Sequence, residues 1–348
     1  MDQVNQVARA FDALDKAQQT ARCEAIARTA FGAWGDSLGP LSLLSDGFNT
    51  TFLGDSDRGR VVIRIHRRDH RGDNGLLVEK RWTDELRAQG LRVPEVLPTR
   101  EGAPFLEWRS GDSTEPQHVS VIAYRDGKVL SESLTGGADE SAILPHLAEL
   151  GALAATLHGH TEAHHELDHL APRHLAPLGV SAPFLTEAHL DPSLWALYSD
   201  ALTRCEAVFA LQTAPLQLCH ADLHGGNVLL TGDGVALIDF DDCAVTWPGL
   251  DLGIAAFYLR VMPFGAERPA PDAAAFADRL SAFRAGYESQ RPWPVSDREL
   301  AVFIVARQLS LLNLLAQERD PDRRAAFTSY RERTRTRLGA WRDEGLWP

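Results

Sequence analysis

The sequence predicts an α+β fold in two lobes, a small antiparallel β-sheet lobe with one helix followed by a larger, mainly helical lobe. Three observations carry this. Apolar and β-branched runs split by Ser, Asp, Gly and Asn fill "LSLLSDGFNTTFLGDSDRGRVVIRIHR", a pattern of strands and turns. The character then changes near residues 124 to 128, at "YRDGKVL". Beyond that point apolar residues recur at helical spacing, first at Leu147, Leu150, Leu153, Ala154 and Leu157. The lobes are therefore drawn at residues 1–124 and 125–348, and 348 residues suffice for one large domain built this way or for two.

The elements follow in order. The opening "MDQVNQVARAFDALDKAQQ" has the period of an amphipathic helix, and the helical pattern ends at "GAWGDSLGP". "RVVIRIH" is a strand rich in β-branched residues. In "GLLVEKRWTDELRAQGL" the apolar Leu77, Trp82 and Leu86 mark a helix, and Leu91 after Gly90 marks its stop. "APFLEWR" and "HVSVIAY" supply two more strands, after which "ESAILPHLAELGALAATLHGHTEAH" is a long helix. From there to residue 348 helices dominate, interrupted by one hairpin.

Composition excludes several classes. With 44% hydrophobic and 24% charged residues the chain is globular, and no apolar run reaches the length of a membrane span. The opening helix lacks the apolar core of a signal peptide, so a cytoplasmic location is expected. Cys23, Cys205, Cys219 and Cys243 are far apart and form no C-x-x-C pair, which points to reduced thiols rather than disulfides or zinc. A net charge of -13 argues against nucleic acid and anionic membrane as partners, and is compatible with a cationic substrate.

The informative stretch is "CHADLHGGNVLLTGDGVALIDFDDC", residues 219–243. If TGDG joins two antiparallel strands, residue 230 faces 235, 229 faces 236 and 228 faces 237. Asn227 then lies beside Ile238 and Asp239, at the hairpin's open end, with His220 and Asp222 on the loop before it. One Asn and one or two carboxylates suit a hard cation such as Mg²⁺ when phosphates and water complete its shell. Asp222 is placed to accept a proton from an attacking hydroxyl. Singly, each residue would pass for a solvated loop residue, but H-x-D-x-x-x-x-N followed by D-F is the spacing of a kinase catalytic loop and metal loop.

On these residues the chain resembles the aminoglycoside phosphotransferase and choline kinase-like family, whose members have a protein-kinase-like fold. "HADLHGGNVLL" is similar to that family's catalytic loop, commonly H-G-D-L-H-x-G-N-V-L, with Ala221 in place of the Gly. "LIDFDD" resembles its metal-binding segment, and the resemblance runs from about residue 40 to 260. It implies a nucleotide-binding lobe at 1–124, a catalytic and substrate lobe at 125–348, and ATP in the cleft between. "LSDGFNTTF", with Gly47 and Asn49, resembles the hairpin that covers the phosphates, although it lacks G-x-G-x-x-G. "VVIRIHR" resembles the strand bearing the phosphate-contacting cation. That cation would be Arg64, where many members have Lys, and an outward-facing strand cation is the alternative. Glu79 matches its carboxylate partner. Ala123 and Tyr124 fall where backbone groups meet the adenine edge. Asp251, in "WPGLDLG", matches an Asp that braces the catalytic loop, and it suits a helix N-cap equally. His220, His224 and Asp241 are read as scaffold.

The function implied is transfer of the γ-phosphoryl group of ATP–Mg²⁺ to a hydroxyl of a small molecule, an amino alcohol or aminoglycoside among the candidates. Asp222 would be catalytic, Asn227 and Asp239 metal ligands, and Arg64 with Glu79 part of the ATP site. A bacterial stress-response type of serine/threonine protein kinase is the first alternative, since its metal loop also resembles "DFDD". A nucleotide-binding regulatory protein with little turnover is the second. His160 and His164, and His165 and His169, stand at metal-ligand spacing within the run from His158 to His169, for which a hydrated surface is the simpler reading.

Overall fold

The structure, a computed structural model, describes residues 14–47, 49–66, 73–109, 117–135, 140–179, 184–260, 272–316 and 321–345. Residues 1–13 of the expected opening helix, and Phe48 of the expected phosphate-covering turn, lie outside them. The chain is an α+β protein, and it divides into two compact units, Met1–Asp126 and Gly127–Pro348.

In the first unit, helix α1 (Lys16–Ala30) starts at a capping box: the Asp15 carboxylate accepts from the Gln18 amide while the Gln18 side chain accepts from the Asp15 amide. A 3-10 turn, Phe31–Trp34, ends it at Gly35, whose φ of +80° is a conformation that glycine adopts without a Cβ clash. Next come β1 (Leu38–Asp46), β2 (Thr50–Ser56), β3 (Gly59–Ile65), helix α2 (Asp73–Ala88), β4 (Val96–Leu97), β5 (Leu106–Trp108) and β6 (Gln117–Ala123). The strands pair antiparallel in the order β1-β2-β3-β6-β4, with β5 also on β6.

Strand periodicity decides what each face does. Val61, Ile63 and Ile65 of β3 join Phe52, Val119 and Val121 to bury Ile26, Ala27, Ala30, Phe31 and Trp34. Arg64 alternates to the opposite face, where α2 brings Glu79 to it. The buried apolar residues of α2 are Leu76, Val78, Trp82 and Leu86. Leu77 is only half-buried, one position off the face expected from spacing.

The second unit contains β7 (Lys128–Val129), α3 (Leu130–Thr135), α4 (Glu140–Ala163), α5 (Pro192–Ala210), β8 (Gln217–Cys219), β9 (Val228–Thr231), β10 (Gly234–Leu237), β11 (Ala244–Thr246), α6 (Pro248–Arg260), α7 (Ala273–Glu288), α8 (Asp297–Leu315) and α9 (Pro321–Glu344). Its strands form two small sheets, β10-β9-β7 and β11-β8. Helices α4 and α7 touch backbone to backbone. A Cβ at Gly151 would collide with the Phe283 carbonyl, and one at Gly286 with the Ala148 carbonyl. That close approach brings His158 of α4 against Tyr287 of α7, a contact on which the site depends. No described helix is long and apolar enough to cross a membrane, and all four cysteines are buried and free.

Candidate active site

The β9–β10 hairpin has the register that its turn dictates, Leu230 opposite Val235, Leu229 opposite Ala236 and Val228 opposite Leu237. The Ile238 amide donates to the Asn227 carbonyl at 2.9 Å, so Asn227 and the start of the Asp239 segment share the hairpin's open end. Asp239 has φ +64° and Ala221 φ +62°, the two non-glycine residues with positive φ among those described. Such strain persists where the surroundings over-determine the backbone. Both residues belong to the motif.

What holds Ala221 is visible. Asp251, fully buried on α6, accepts from the His220 amide at 3.0 Å and from the Ala221 amide at 2.6 Å. Its Oδ2 also meets His158 Nε2 at 3.1 Å, and His158 Nδ1 lies 3.0 Å from the Tyr287 hydroxyl. Asp251 therefore ties down the loop at His220 and Ala221 and is not a helix N-cap. Cys219 stands near this pair as well, within 4.8 Å, a grouping with the donor types of a metal site. Burial pushes its thiol well above the usual range, and Asp251 adds to that. The Asp251 carboxylate is already taken up by two amides and an imidazole, so the trio is a hydrogen-bonded brace.

Asp222 is the most heavily bonded carboxylate of the loop. Its Oδ2 accepts from Asn227 Nδ2 at 3.0 Å and lies 3.2 Å from His224 Nε2. Its Oδ1 accepts from Arg307 Nη2 at 2.7 Å. Burial alone would raise its pKa, but His224, Arg307 and His220 outweigh it and hold the carboxyl well below the usual range. His224 caps the 3-10 turn Gly225–Asn227, with Nδ1 accepting from the Gly226 amide at 2.9 Å. That bond places the ring proton on Nε2, facing Asp222. His224 is thus a scaffold residue that also donates to Asp222.

Asn227 Nδ2 is committed to Asp222, to its carboxylate and to its carbonyl at 3.0 Å each, which leaves the amide oxygen as the atom a metal could take. With Asp239 following Ile238 at the same end of the hairpin, the donors these two side chains offer are oxygen and fit a hard divalent cation. His220 fastens the loop to the same segment, since its Nε2 lies 3.1 Å from the Ile238 carbonyl and its ring 4.6 Å from that of Phe240. Asp241 is buried in the short turn Phe240–Asp242.

In the first unit Arg64 is 7% exposed and Glu79 3%, and Arg64 Nη1 donates to Glu79 Oε1 at 3.0 Å. Arg64 is not an outward-facing strand cation. The Gly47 amide bonds the Asn49 carbonyl at 3.2 Å to close the β1–β2 turn. The Ala123 and Tyr124 amides already donate, to the Glu95 carbonyl at 2.9 Å and the Arg60 carbonyl at 3.0 Å. An adenine edge at these two residues would meet carbonyl groups rather than these donors. Of the histidine run, His164 Nδ1 lies 2.8 Å from the His160 carbonyl and His165 Nδ1 2.9 Å from Asp168 Oδ2, while His158 and His160 are buried and not part of a hydrated surface.

A model of the phosphotransferase enzyme family matches residues 41–293, which span both units and the whole of this motif. The chain belongs to the phosphotransferase enzyme family. It is an enzyme of the kind that moves a phosphoryl group to a hydroxyl. An uncharacterized protein of Deinococcus radiodurans is 28% identical over 289 residues, 79% of this chain and 77% of its own. Among solved structures, a microcompartment-associated aminopropanol kinase is similar at TM-score 0.69 and 22% identity, covering 93% of this chain and 99% of its own. An amicoumacin kinase in complex with AMP-PNP, Ca²⁺ and Ami is similar at TM-score 0.70 and 18% identity, covering 95% of this chain and 96% of its own.

Two residues that contact this phosphotransferase's loop, Tyr258 and Arg307, and one that reaches it through Asp251, His158, escape a motif reading. Arg307 Nη2 also bonds the Tyr258 hydroxyl at 2.9 Å, and the Tyr258 ring packs 4.7 Å from that of His224. A signal for Arg307 does exist. It is the one charged residue in residues 300–315, "LAVFIVARQLSLLNLL", where burying a cation is costly unless it is paired.

Proposed function

We propose that this phosphotransferase moves the γ-phosphoryl group of ATP, with Mg²⁺, to a hydroxyl of a small molecule. The observation that carries this is the convergence at the open end of the hairpin. One amide side chain, Asn227, binds the carboxylate of Asp222 and is brought by the β-register beside Asp239. In the reaction the acceptor oxygen forms a bond to the γ-phosphorus, the bridging P–O bond to the β-phosphate breaks, and ADP leaves. The hydroxyl proton passes to Asp222. A donor-rich carboxylate is a weak base, which suits a loose transition state where positioning precedes proton loss.

Mg²⁺, when bound, neutralises phosphate charge, and the Asn227 oxygen and Asp239 carboxylate are the residues that would hold it. In the first unit Arg64, fixed by Glu79, is the phosphate contact, the turn of Gly47 and Asn49 covers the phosphates, and carbonyl groups of Ala123 and Tyr124 take the adenine edge. His220, His224, Asp241 and Asp251 shape the loop. The test is calorimetric titration of variants with a non-hydrolysable ATP analogue, with and without Mg²⁺. Asp222→Asn should keep metal-dependent binding while transfer falls by a factor of about 10² or more. Asp239→Asn should weaken the metal dependence of binding itself. The opposite pattern would reverse the two roles, and unimpaired transfer in both variants would sink the reading.

A further inference from the structure

The carboxylate of Asp222 is bonded by a guanidinium, that of Arg307, although the chain as a whole carries -13. Arg307 lies on α8 with its side chain 15% exposed, against 17% for Asp222. Both of its protein hydrogen bonds run through Nη2, to Asp222 and to Tyr258, and its buried Nε has no hydrogen-bond partner among the described residues. A guanidinium that served only to brace Asp222 would gain from spending its remaining donors on protein, because a buried donor left unpaired costs free energy.

Further cations stand behind it. Arg333 and Arg337 of α9 lie at helical spacing from Tyr330, whose buried hydroxyl donates to the Gln308 carbonyl at 3.1 Å, next to Arg307 in sequence. Arg333 also has a buried Nε without a partner among the described residues. The Arg337 pKa is lowered to about 10, first by burial and then by the nearby Arg333 and Arg260, against Tyr330, which raises it. An ammonium-bearing acceptor would have to reach Asp222 beside the guanidinium of Arg307. An anion would be drawn to it, and the planar fork of Arg matches a carboxylate or phosphate.

We infer that the acceptor is an alcohol that also carries an anionic group, and that Arg307 receives this group while Asp222 receives the hydroxyl. The inference rests on the phosphotransferase reading above and assigns the acceptor's class. It replaces the cationic acceptor suggested by net charge. Since Arg307 and Asp222 touch, and hydrogen bonds to each are about 2.8 Å long, the two functional groups lie only a few carbons apart, as in a short hydroxy acid or hydroxy amino acid. Glycerol 3-phosphate offers the same chemistry from a phosphate.

The test uses the full chain, ATP–Mg²⁺ and matched acceptors: serine against ethanolamine, threonine against 1-amino-2-propanol, and glycerol 3-phosphate against glycerol. The anionic member of at least one pair should have the higher kcat/KM, and the pair that responds identifies carboxylate or phosphate. Arg307→Ala should lower kcat/KM for that acceptor by about 10- to 100-fold, the worth of charge-assisted hydrogen bonds, chiefly through KM. Arg307→Lys should recover part of the loss, and ATP-analogue affinity should not move in either variant. Arg307→Gln, which removes the charge but keeps an amide donor toward Asp222, serves if Arg307→Ala fails to fold, and should raise KM for the anionic acceptor alone. Equal or better turnover of the uncharged or cationic members would overturn the inference and leave the phosphotransferase reading standing. Loss of nucleotide affinity in Arg307→Ala would overturn it too, by moving Arg307 to the ATP site. No transfer to any acceptor would overturn both.

Discussion

Replacing Glu79 by Ala should destabilise the first unit severely, and replacing both members of its pair should not. Arg64 and Glu79 are 7% and 3% exposed and 3.0 Å apart. At that separation and an effective dielectric of about 20, their attraction is about 5 kcal/mol, most of it offset by the desolvation of two buried charges. Removing one partner takes this ion pair away from a charge that stays buried, at a cost of about 3–5 kcal/mol. Substituting both by apolar residues of similar volume, Arg64→Met with Glu79→Leu, removes attraction and desolvation together and should fall within about 1 kcal/mol of the parent.

Urea denaturation, with hydrogen exchange to localise the effect to residues of β3 and α2, measures all four corners of this cycle. The functional consequence separates from the structural one only in the double variant. If Arg64 contacts phosphates, that variant is folded but binds ATP weakly while adenosine binding is retained. A stable double variant with normal ATP affinity would refute the phosphate role. Single variants as stable as the parent would refute the energetic reasoning, and would mean that water reaches the pair.

Ala221→Gly should stabilise the chain by up to about 1 kcal/mol, because the left-handed backbone costs Ala about 1–2 kcal/mol and Gly gives back about 0.5–1 in chain entropy; thermal melts compare the two. The pH profile of the transfer step should show no acid limb from Asp222 near an ordinary carboxyl pKa, since His224 and Arg307 hold it lower. In Arg307→Ala such a limb should move up toward that ordinary range. The same depression means that ionised Asp222 contributes stability above the unfolded value of about 3.9, and that this is lost as pH falls below it. A limb unmoved by Arg307→Ala would show that the arginine does not set this acidity.

Local features of the site were legible in the sequence and long-range ones were not. The hairpin register followed from a four-residue TGDG connection between two apolar runs, because backbone pairing counts outward from the turn. Gly90, with φ +84°, stopped α2 where the pattern ended, since a left-handed residue there closes the last turn. The Arg64–Glu79 pair followed from family spacing, but its burial did not. A strand cation looks the same facing water or a helix. Arg307 reaches Asp222 across 85 positions, and His158 reaches Asp251 across 93. Contacts between helices so far apart leave no period in the chain. His158 was also camouflaged at the head of a histidine run whose other members make local bonds.

The donors on Asp222 and the strain at Ala221 belong to one arrangement. The left-handed turn at Ala221 sets the Asp222 side chain among His224, Asn227 and Arg307, and Asp251 holds that turn by bonding the two amides before Asp222. Asp251 is itself kept in place by His158, which needs Tyr287, which needs the glycine-mediated approach of α4 to α7. Each link is buried, so each would leave an unpaired polar group if the next were lost. The loop is rigid because its supports lie in the helical core, while the carboxylate it presents is tuned to stay ionised. A base so stabilised takes a proton only when the acceptor oxygen has already begun to bond to phosphorus and has become acidic. Positioning the hydroxyl would then be the larger part of the role proposed for Asp222, and Arg307, by drawing an anionic acceptor to the same place, would share that task.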